Sequence, residues 1–180
     1  VNSKAKISKT ENTQKIFDLN TEFHTKERTL EFVRSLNGQE KIKITRHSII
    51  VQYTDPEEIY DEEMQSFIRK GITEALRIEA KGYLPKRTAL LAHKFGFKFN
   101  QVSVRNAKTR WGSCSGKNNL SLNIQLMRLP YHLIDYVILH ELCHTIEKNH
   151  GQKFWALLQS ITGNAKGLDK ELNNYSPEIF

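Results

Sequence analysis

The sequence predicts an α+β fold, in which a small antiparallel sheet packs with helices and two helices near the C-terminus carry the functional residues. Three observations support this class. Alternation typical of strands occurs in two separate stretches, helical periodicity lies between them, and two further helical patterns follow the second stretch. The elements occur in this order without an internal repeat.

The first 55 residues are expected to form a strand-containing region that is partly flexible. Residues 1–20 are polar and lack periodicity, which is typical of a flexible terminus. Strand-like alternation follows at residues 41–44 and 48–53, and Asn37-Gly38 marks a turn ahead of them. The sequence therefore predicts short strands in this region.

A helix is predicted to begin at Asp55-Pro56, because apolar residues recur after it at spacings of three and four. Gly82 and Pro85 are expected to interrupt this helix, since neither residue suits a helix interior. A second helix is predicted over about residues 86–94, and Gly96 is expected to end it. The middle of the chain is therefore expected to hold two helices with a break between them.

Two strands are predicted around a turn in the second half of the chain. Residues 97–104 and 120–126 alternate between apolar and polar side chains, and the turn-forming stretch 115–119 separates them. We expect these two strands to pair antiparallel. Residues 120–127 would then offer a sheet edge to which an extended peptide can add as a further strand.

A basic and aromatic cluster lies between these two strands and consists of Arg105, Lys108, Arg110 and Trp111. An arginine in this place can bind a substrate carboxylate or polarise a carbonyl group under attack. The alternative is structural, with Arg110 stacked on Trp111 and Arg105 in an ion pair that holds the fold. Both interpretations stay open at this stage.

The strongest motif is His140-Glu141-Leu142-Cys143-His144, an H-E-x-x-H pattern that follows a mostly apolar stretch with Pro130 near its start. On a helix, residues four apart lie on one face, so the imidazoles of His140 and His144 can converge on one metal ion. Glu141 lies about 100° around the helix, where it can reach the water of such a metal and act as a general base. Zinc is the expected metal, because it accepts imidazole nitrogen.

His150 is the expected third ligand, since a catalytic zinc site typically has three protein ligands and a water. The residues on either side of His150 favour a turn, after which a second helix with an apolar face would begin. A carboxylate from a later helix, with Glu171 the best placed, is the alternative ligand. Cys114 and Cys143 are interpreted as core residues, because three histidines are available to the metal.

Three blocks of the sequence together resemble the YgjP-like family of zinc metallopeptidases, which is related to the SprT-like proteases. The blocks are residues 104–123, with RWGSCS and LSLN, residues 129–144, with the H-E-x-x-H motif, and residues 149–155, NHGQKFW. The resemblance implies a minimal zincin-like fold and a metallopeptidase-like catalytic domain over residues 56–180. It also implies zinc as the cofactor, with His140, His144 and His150 as ligands and Glu141 as the base.

Two enzyme classes are compatible with this pattern. In a metallopeptidase that acts on a peptide or an unfolded protein, Glu141 takes the proton of the attacking water and passes it to the leaving amine. In a zinc-dependent nucleotide pyrophosphatase, Arg105, Lys108 and Arg110 would clamp the phosphates. A DNA-associated SprT-like protease is a further alternative. A structural zinc is disfavoured, because structural sites usually have four protein ligands. The peptidase is the preferred interpretation.

Composition and charge fit a globular enzyme, with 38% hydrophobic and 26% charged residues among 180. No apolar run approaches the roughly 18 residues of a membrane span, so no membrane partner is expected. The net charge is +7, but the basic residues are spread along the chain, which favours a generic basic surface over a nucleic-acid site. Two cysteines give no disulfide framework, so a cytoplasmic location is expected.

Overall fold

The structure is a computed structural model that describes residues 15–178. Within this range, strands and helices form two small mixed sheets with packed helices, which confirms the predicted α+β class. Residues 1–14, which belong to the segment predicted to be flexible, lie outside the described residues. The strands are β1 Thr29–Arg34, β2 Lys41–Ile44, β3 Ser48–Tyr53, β4 Gln101–Arg105, β5 Gly112–Cys114 and β6 Asn119–Asn123. The α-helices are α1 Glu62–Phe95, α2 Tyr131–Cys143, α3 Gln152–Thr162 and α4 Ala165–Leu172.

The first sheet has the order β1-β3-β2, with β1 parallel and β2 antiparallel to the central β3. The predicted strands at residues 41–44 and 48–53 are confirmed as β2 and β3, and Gly38, with a φ of 67°, lies in the predicted turn. The sequence does not predict β1, because Leu30 is the one buried residue of that strand and the alternation is weak. The central strand β3 contacts α1 and joins the sheet to the helices.

The long helix α1 is continuous over 34 residues, about 50 Å, so the predicted break at Gly82 and Pro85 is wrong. Pro85 removes one backbone hydrogen bond from the helix, which is a local cost. The neighbouring side chains Ala80 and Leu84 are fully buried, and helices in proteins owe most of their stability to such packing. Tertiary contacts therefore outweigh the local preference for a break.

The two ends of α1 differ in how well the sequence predicts them. The helix begins at Glu62, after a 3-10 turn at Glu58–Tyr60, and not at Asp55-Pro56. It ends as predicted at Gly96, whose φ of 75° is a left-handed conformation that favours glycine. Neither α1 nor another helix among residues 15–178 combines the length and the hydrophobicity of a membrane-spanning segment.

The second sheet has the order β4-β6-β5, with β4 parallel and β5 antiparallel to the central β6. The predicted antiparallel pairing of residues 97–104 with residues 120–126 is therefore wrong. The hairpin partner of β6 is β5, a three-residue strand that is too short to show alternation in the sequence. The turn between them contains Asn118 at a φ of 58°, a left-handed conformation that asparagine tolerates better than most residues.

The edge predicted for substrate binding is also wrong, because β6 is a central strand with neighbours on both sides. Residues 124–128 leave the sheet and form a 3-10 turn in which Ile124, Leu126 and Met127 are buried. The strand that lies at an edge of this sheet and contacts α2 is β5.

One hydrophobic core extends through both sheets and the helices, and it includes Phe17, Leu76, Leu122 and Leu142. Phe17 belongs to the segment predicted to be flexible, yet it is fully buried. Its backbone N–H donates to Gln65 Oε1 at 2.9 Å, and Gln65 Nε2 donates to its carbonyl at 2.7 Å. The core thus draws on both of the regions that the sequence predicts, and the boundary between those regions stays a prediction.

Removal of one partner from the buried ion pair Arg28–Glu79 should lower the stability of the fold strongly. The Arg28 Nη1 atom lies 2.8 Å from Glu79 Oε1, and the two side chains are 8% and 1% exposed. Glu79→Ala leaves the buried Arg28 with only the exposed carboxylate of Glu27, 3.6 Å away. Breaking a buried pair in this way typically costs about 3–5 kcal/mol. We expect urea unfolding of this variant to show a loss of that size. Glu74→Ala removes the carboxylate of an exposed pair with Arg77 and should cost less than about 1 kcal/mol, so equal losses would contradict the prediction.

Candidate metal centre

The helix α2 places the H-E-x-x-H motif at its C-terminal end. Pro130 precedes it, as predicted, and nine of its 13 residues are buried, which explains why the stretch before the motif is apolar. Arg87 of α1 fixes the helix from the side, since its Nε donates to Asp135 Oδ1 at 2.7 Å. The helix ends at Cys143 with His144 as its C-cap, so both motif histidines lie in its last turn.

A tight turn returns the chain to the motif after α2 ends. The Thr145 hydroxyl donates to the Leu142 carbonyl at 2.6 Å, and Gly151 then precedes α3, which begins where the sequence predicts. His150 lies directly before this glycine. Its Nε2 atom is 2.9 Å from Nε2 of His140 and 3.1 Å from Nε2 of His144.

The three imidazoles have the geometry of a metal-binding set. Their ligand atoms all lie within 4.8 Å of one another. Four ligands placed tetrahedrally at 2.0–2.1 Å from zinc are about 3.3 Å apart, close to the separations between these nitrogens. The ring of Phe154, in α3, packs against all three, with centroid distances of 4.8 Å to His140, 4.5 Å to His144 and 4.7 Å to His150.

The protonation of the histidines also suits a metal. His144 Nδ1 lies 2.9 Å from the Glu147 carbonyl, so its ring donates there and leaves the Nε2 lone pair free. Burial lowers the pKa of His140 to about 4, with a smaller contribution from the other two histidines. Burial likewise lowers the pKa of His144. Neutral imidazole is the form that binds a metal, so these residues fit a cation such as zinc.

Glu141 lies beside the three histidines and is only 6% exposed. Burial raises its pKa to about 7, and the Arg110 guanidinium acts in the opposite direction. Its side chain packs against the backbone of Gly112, in β5, so closely that a Cβ there would lie 2.8 Å from Glu141 Oε1. A carboxyl group with a pKa near neutrality, next to a cluster of metal-binding groups, can accept and release a proton.

The structure brings part of the predicted basic cluster to this site. Trp111 lines a cavity together with His140 and Glu141, and Arg110 is close enough to Glu141 to affect its pKa. Arg105 and Arg110 are both exposed and line one small cleft with Trp111. Lys108 is 80% exposed and its Nζ lies 3.4 Å from the Glu178 carboxylate.

Sequence reasoning misses the residue that holds the loop before β5. Asn123 is buried, and its Nδ2 donates to the carbonyls of Ala107 at 2.7 Å and Arg110 at 2.8 Å. Its Oδ1 accepts from the Gln125 backbone at 3.1 Å. Nothing in the sequence pattern points to this role, because Asn123 has the same register in the strand as Asn119 and Ser121, where a polar residue is expected.

The alternative ligand Glu171 and the two cysteines lie outside the histidine cluster. Glu171 is 2.7 Å from His132 Nε2 and pairs with that histidine instead. Cys143 is fully buried as predicted, and burial raises the pKa of its thiol to about 12. Cys114 is only half-buried, at the end of β5, and burial raises the pKa of its thiol as well. Both cysteines are free thiols.

Comparison with known families identifies the class of protein first, a metallopeptidase domain. The matching family model is described as YgjP-like, metallopeptidase domain, and it covers residues 2–175. The chain belongs to the YgjP-like metallopeptidase family, which confirms the resemblance found in the sequence. None of the curated proteins compared with the chain matches it significantly.

Two solved structures also align with the chain. The metallopeptidase zymogen abylysin of Pyrococcus abyssi is 21% identical with a TM-score of 0.44, over 49% of this chain and 91% of that one. The metallopeptidase zymogen jannalysin of Methanocaldococcus jannaschii is 22% identical with a TM-score of 0.44, over 49% of this chain and 92% of that one. Both similarities are distant.

Proposed function

We propose that the protein is a zinc-dependent peptidase in which His140, His144 and His150 bind the metal and Glu141 is the general base. One observation carries the proposal: three imidazole Nε2 atoms converge beside a buried carboxyl group on the same helix. Membership in a metallopeptidase family supports the same activity.

The chemistry follows from the placement of Glu141. When bound, zinc supplies a Lewis acid that lowers the pKa of a water ligand toward about 7. Glu141 accepts the proton of the attacking water on its carboxylate and later donates it to the leaving amine.

The substrate of the proposal is an extended peptide or an unfolded protein. The strand β5 is an edge strand, so a peptide can pair with its outer backbone as a further strand. Gly112 in this strand contacts Glu141, so a peptide paired along β5 would pass next to the general base. Folded proteins seldom present an unpaired extended segment, and for that reason unfolded chains are the better substrates.

The nucleotide alternative has less support. Of the three residues expected to clamp phosphates, Lys108 is paired with Glu178, which leaves Arg105 and Arg110. The family model describes a metallopeptidase and adds no support for nucleotide chemistry. The peptidase is therefore the function that we propose.

The proposal is tested by hydrolysis assays on the purified chain, stripped of metal with a chelator and then reloaded with zinc. We expect a denatured protein to be cleaved with zinc and not after chelation, and nucleoside triphosphates to remain intact. Adding DNA should not change the rate, which separates this activity from a DNA-associated protease. Zinc-dependent cleavage of nucleotides without cleavage of any peptide, lost in the variant with Arg105→Ala and Arg110→Ala, would overturn the proposal.

Gly112→Ala should slow peptide hydrolysis about a hundredfold while zinc stays bound. The added methyl group would lie 2.8 Å from both Cγ and Oε1 of Glu141, so the base or the strand must shift, and a displacement of about 1 Å can cost that much in rate. Gly116→Ala is the matched control, since its Cβ meets no heavy atom within 4 Å. Equal rates for the two variants would show that contact with Gly112 does not position the base.

A further inference from the structure

A cavity of about 150 Å³ opens directly beside the candidate metal centre. His140, Glu141 and Gly112 form the side that faces the centre. A cavity of this size holds a single side chain, since pockets that enclose whole small-molecule ligands measure about 300–1,000 Å³. The remaining wall residues are Trp111, Tyr136, Val137, Asp169 and Leu172.

Apart from His140 and Glu141 on the side of the metal centre, the wall of this cavity is apolar and aromatic except for the carboxyl group of Asp169. The residue lies in α4, which packs on α2 and contributes Asp169 and Leu172 to the cavity. The Tyr136 hydroxyl donates to Asp169 Oδ1 at 3.1 Å and so holds the carboxylate at the wall.

The Asp169 carboxylate can accept further hydrogen bonds from a ligand. An ionised carboxylate has about four acceptor positions, and the Tyr136 hydroxyl occupies one of them. An apolar ligand in the cavity would remove water from this group without replacing its hydrogen bonds, which is unfavourable. An acidic ligand would be repelled. A cationic side chain with a long aliphatic stem satisfies both the carboxylate and the apolar walls.

We propose that this cavity is a specificity pocket that takes a lysine or arginine side chain of the substrate next to the scissile bond, and that Asp169 selects it. The inference rests on the proposed function, because it assigns a peptide to the site. The aromatic and aliphatic walls contact the methylene groups of the substrate side chain, and Asp169 binds the ammonium or guanidinium group. Proximity to Glu141 places the selected residue beside the bond that is cleaved.

A binding experiment tests the pocket independently of catalysis. The full chain with Glu141→Gln, loaded with zinc, is titrated with fluorescent peptides that are identical except for one central residue, which is Lys, Met or Glu. We expect the Lys peptide to bind about tenfold more tightly than the Met peptide, the usual order for a charge-assisted hydrogen bond, and the Glu peptide to bind most weakly. Adding Asp169→Asn should make Lys and Met peptides bind alike.

Glu171→Gln is the matched control, because Glu171 lies in the same helix but pairs with His132 outside the cavity. It should leave the preference for the Lys peptide unchanged. Equal binding of Lys and Met peptides, or a preference that survives Asp169→Asn, would overturn the inference. Cleavage of peptides that have no basic residue at the scissile bond would overturn the inference about the pocket, but it would leave the proposed peptidase standing. A preference for the Lys peptide without any turnover by the parent would support the pocket and count against the proposed peptidase.

Discussion

Replacing Glu141 by glutamine is expected to lower the rate of peptide hydrolysis by about 10²–10⁴-fold, the usual contribution of a general base. The amide has nearly the same shape as the carboxyl group but cannot accept the proton of the attacking water at neutral pH. The fold should persist, because the substitution removes no volume from a side chain that is 6% exposed. Zinc should also stay bound, because the three imidazoles are untouched.

The prediction is checked by steady-state rates together with the zinc content and thermal unfolding of the same samples. Glu147→Gln is the matched control, since it makes the same chemical change on a residue that assists His144 through its backbone carbonyl. The control should hydrolyse peptides at a rate close to that of the parent. If the Glu141 variant hydrolyses peptides at a rate within a few-fold of that of the parent, another group is the base.

The convergence of the three histidines could be predicted because its geometry is local. His140 and His144 lie four positions apart, and helical periodicity alone brings them to one face. The turn before His150 also has a local cause, since the residues that flank it favour a bend and the next helix begins at Gln152. These contacts depend on short stretches of chain, and a single sequence contains the information they require.

The environment of Glu141 could not be predicted, because it depends on strand pairing. β5 has three residues, and its place at the sheet edge follows from pairing with β6 and not from its own pattern. The contact between Gly112 and Glu141 joins two elements that are distant in sequence. Asp169 reaches the same cavity from α4, an element distant in sequence from both β5 and the motif. The pattern of a single sequence indicates the secondary structure of each segment, but it does not indicate which other segments that segment contacts.

The continuous helix α1 shows that tertiary packing can also override a local preference that the sequence does contain. Gly82 and Pro85 gave a strong local signal for a break, and a Cβ at Gly82 would meet no heavy atom within 4 Å, so close packing does not require glycine there. The helix persists because its buried face, including Leu84, spans the core. Local signals fail where many tertiary contacts act on one rigid element.

Replacing His150 by alanine is expected to remove zinc from the protein. The three Nε2 atoms form one donor set, and the loss of one leaves two protein ligands, fewer than catalytic zinc sites use. Loss of a group that merely supports a ligand typically lowers affinity about 10–100-fold, so loss of a ligand should cost at least about a hundredfold. His150 is exposed, so the fold of the metal-free protein should be unaffected. Elemental analysis after dialysis should find about one zinc per parent chain and almost none in the variant.

His132→Ala is the matched control for this experiment, because His132 is an exposed histidine that pairs with Glu171 and not with the cluster. It should keep its zinc. Thermal unfolding gives a second measurement. Zinc at a hundred times its dissociation constant stabilises the folded parent by about 2.7 kcal/mol. This stabilisation should be absent in His150→Ala and present in His132→Ala. Full zinc content in His150→Ala would mean that the third ligand is another residue, and Glu171→Ala would then be the next variant to measure. Loss of zinc from the His150 variant, with normal content in the control, distinguishes a true ligand from a histidine that is merely close to the site.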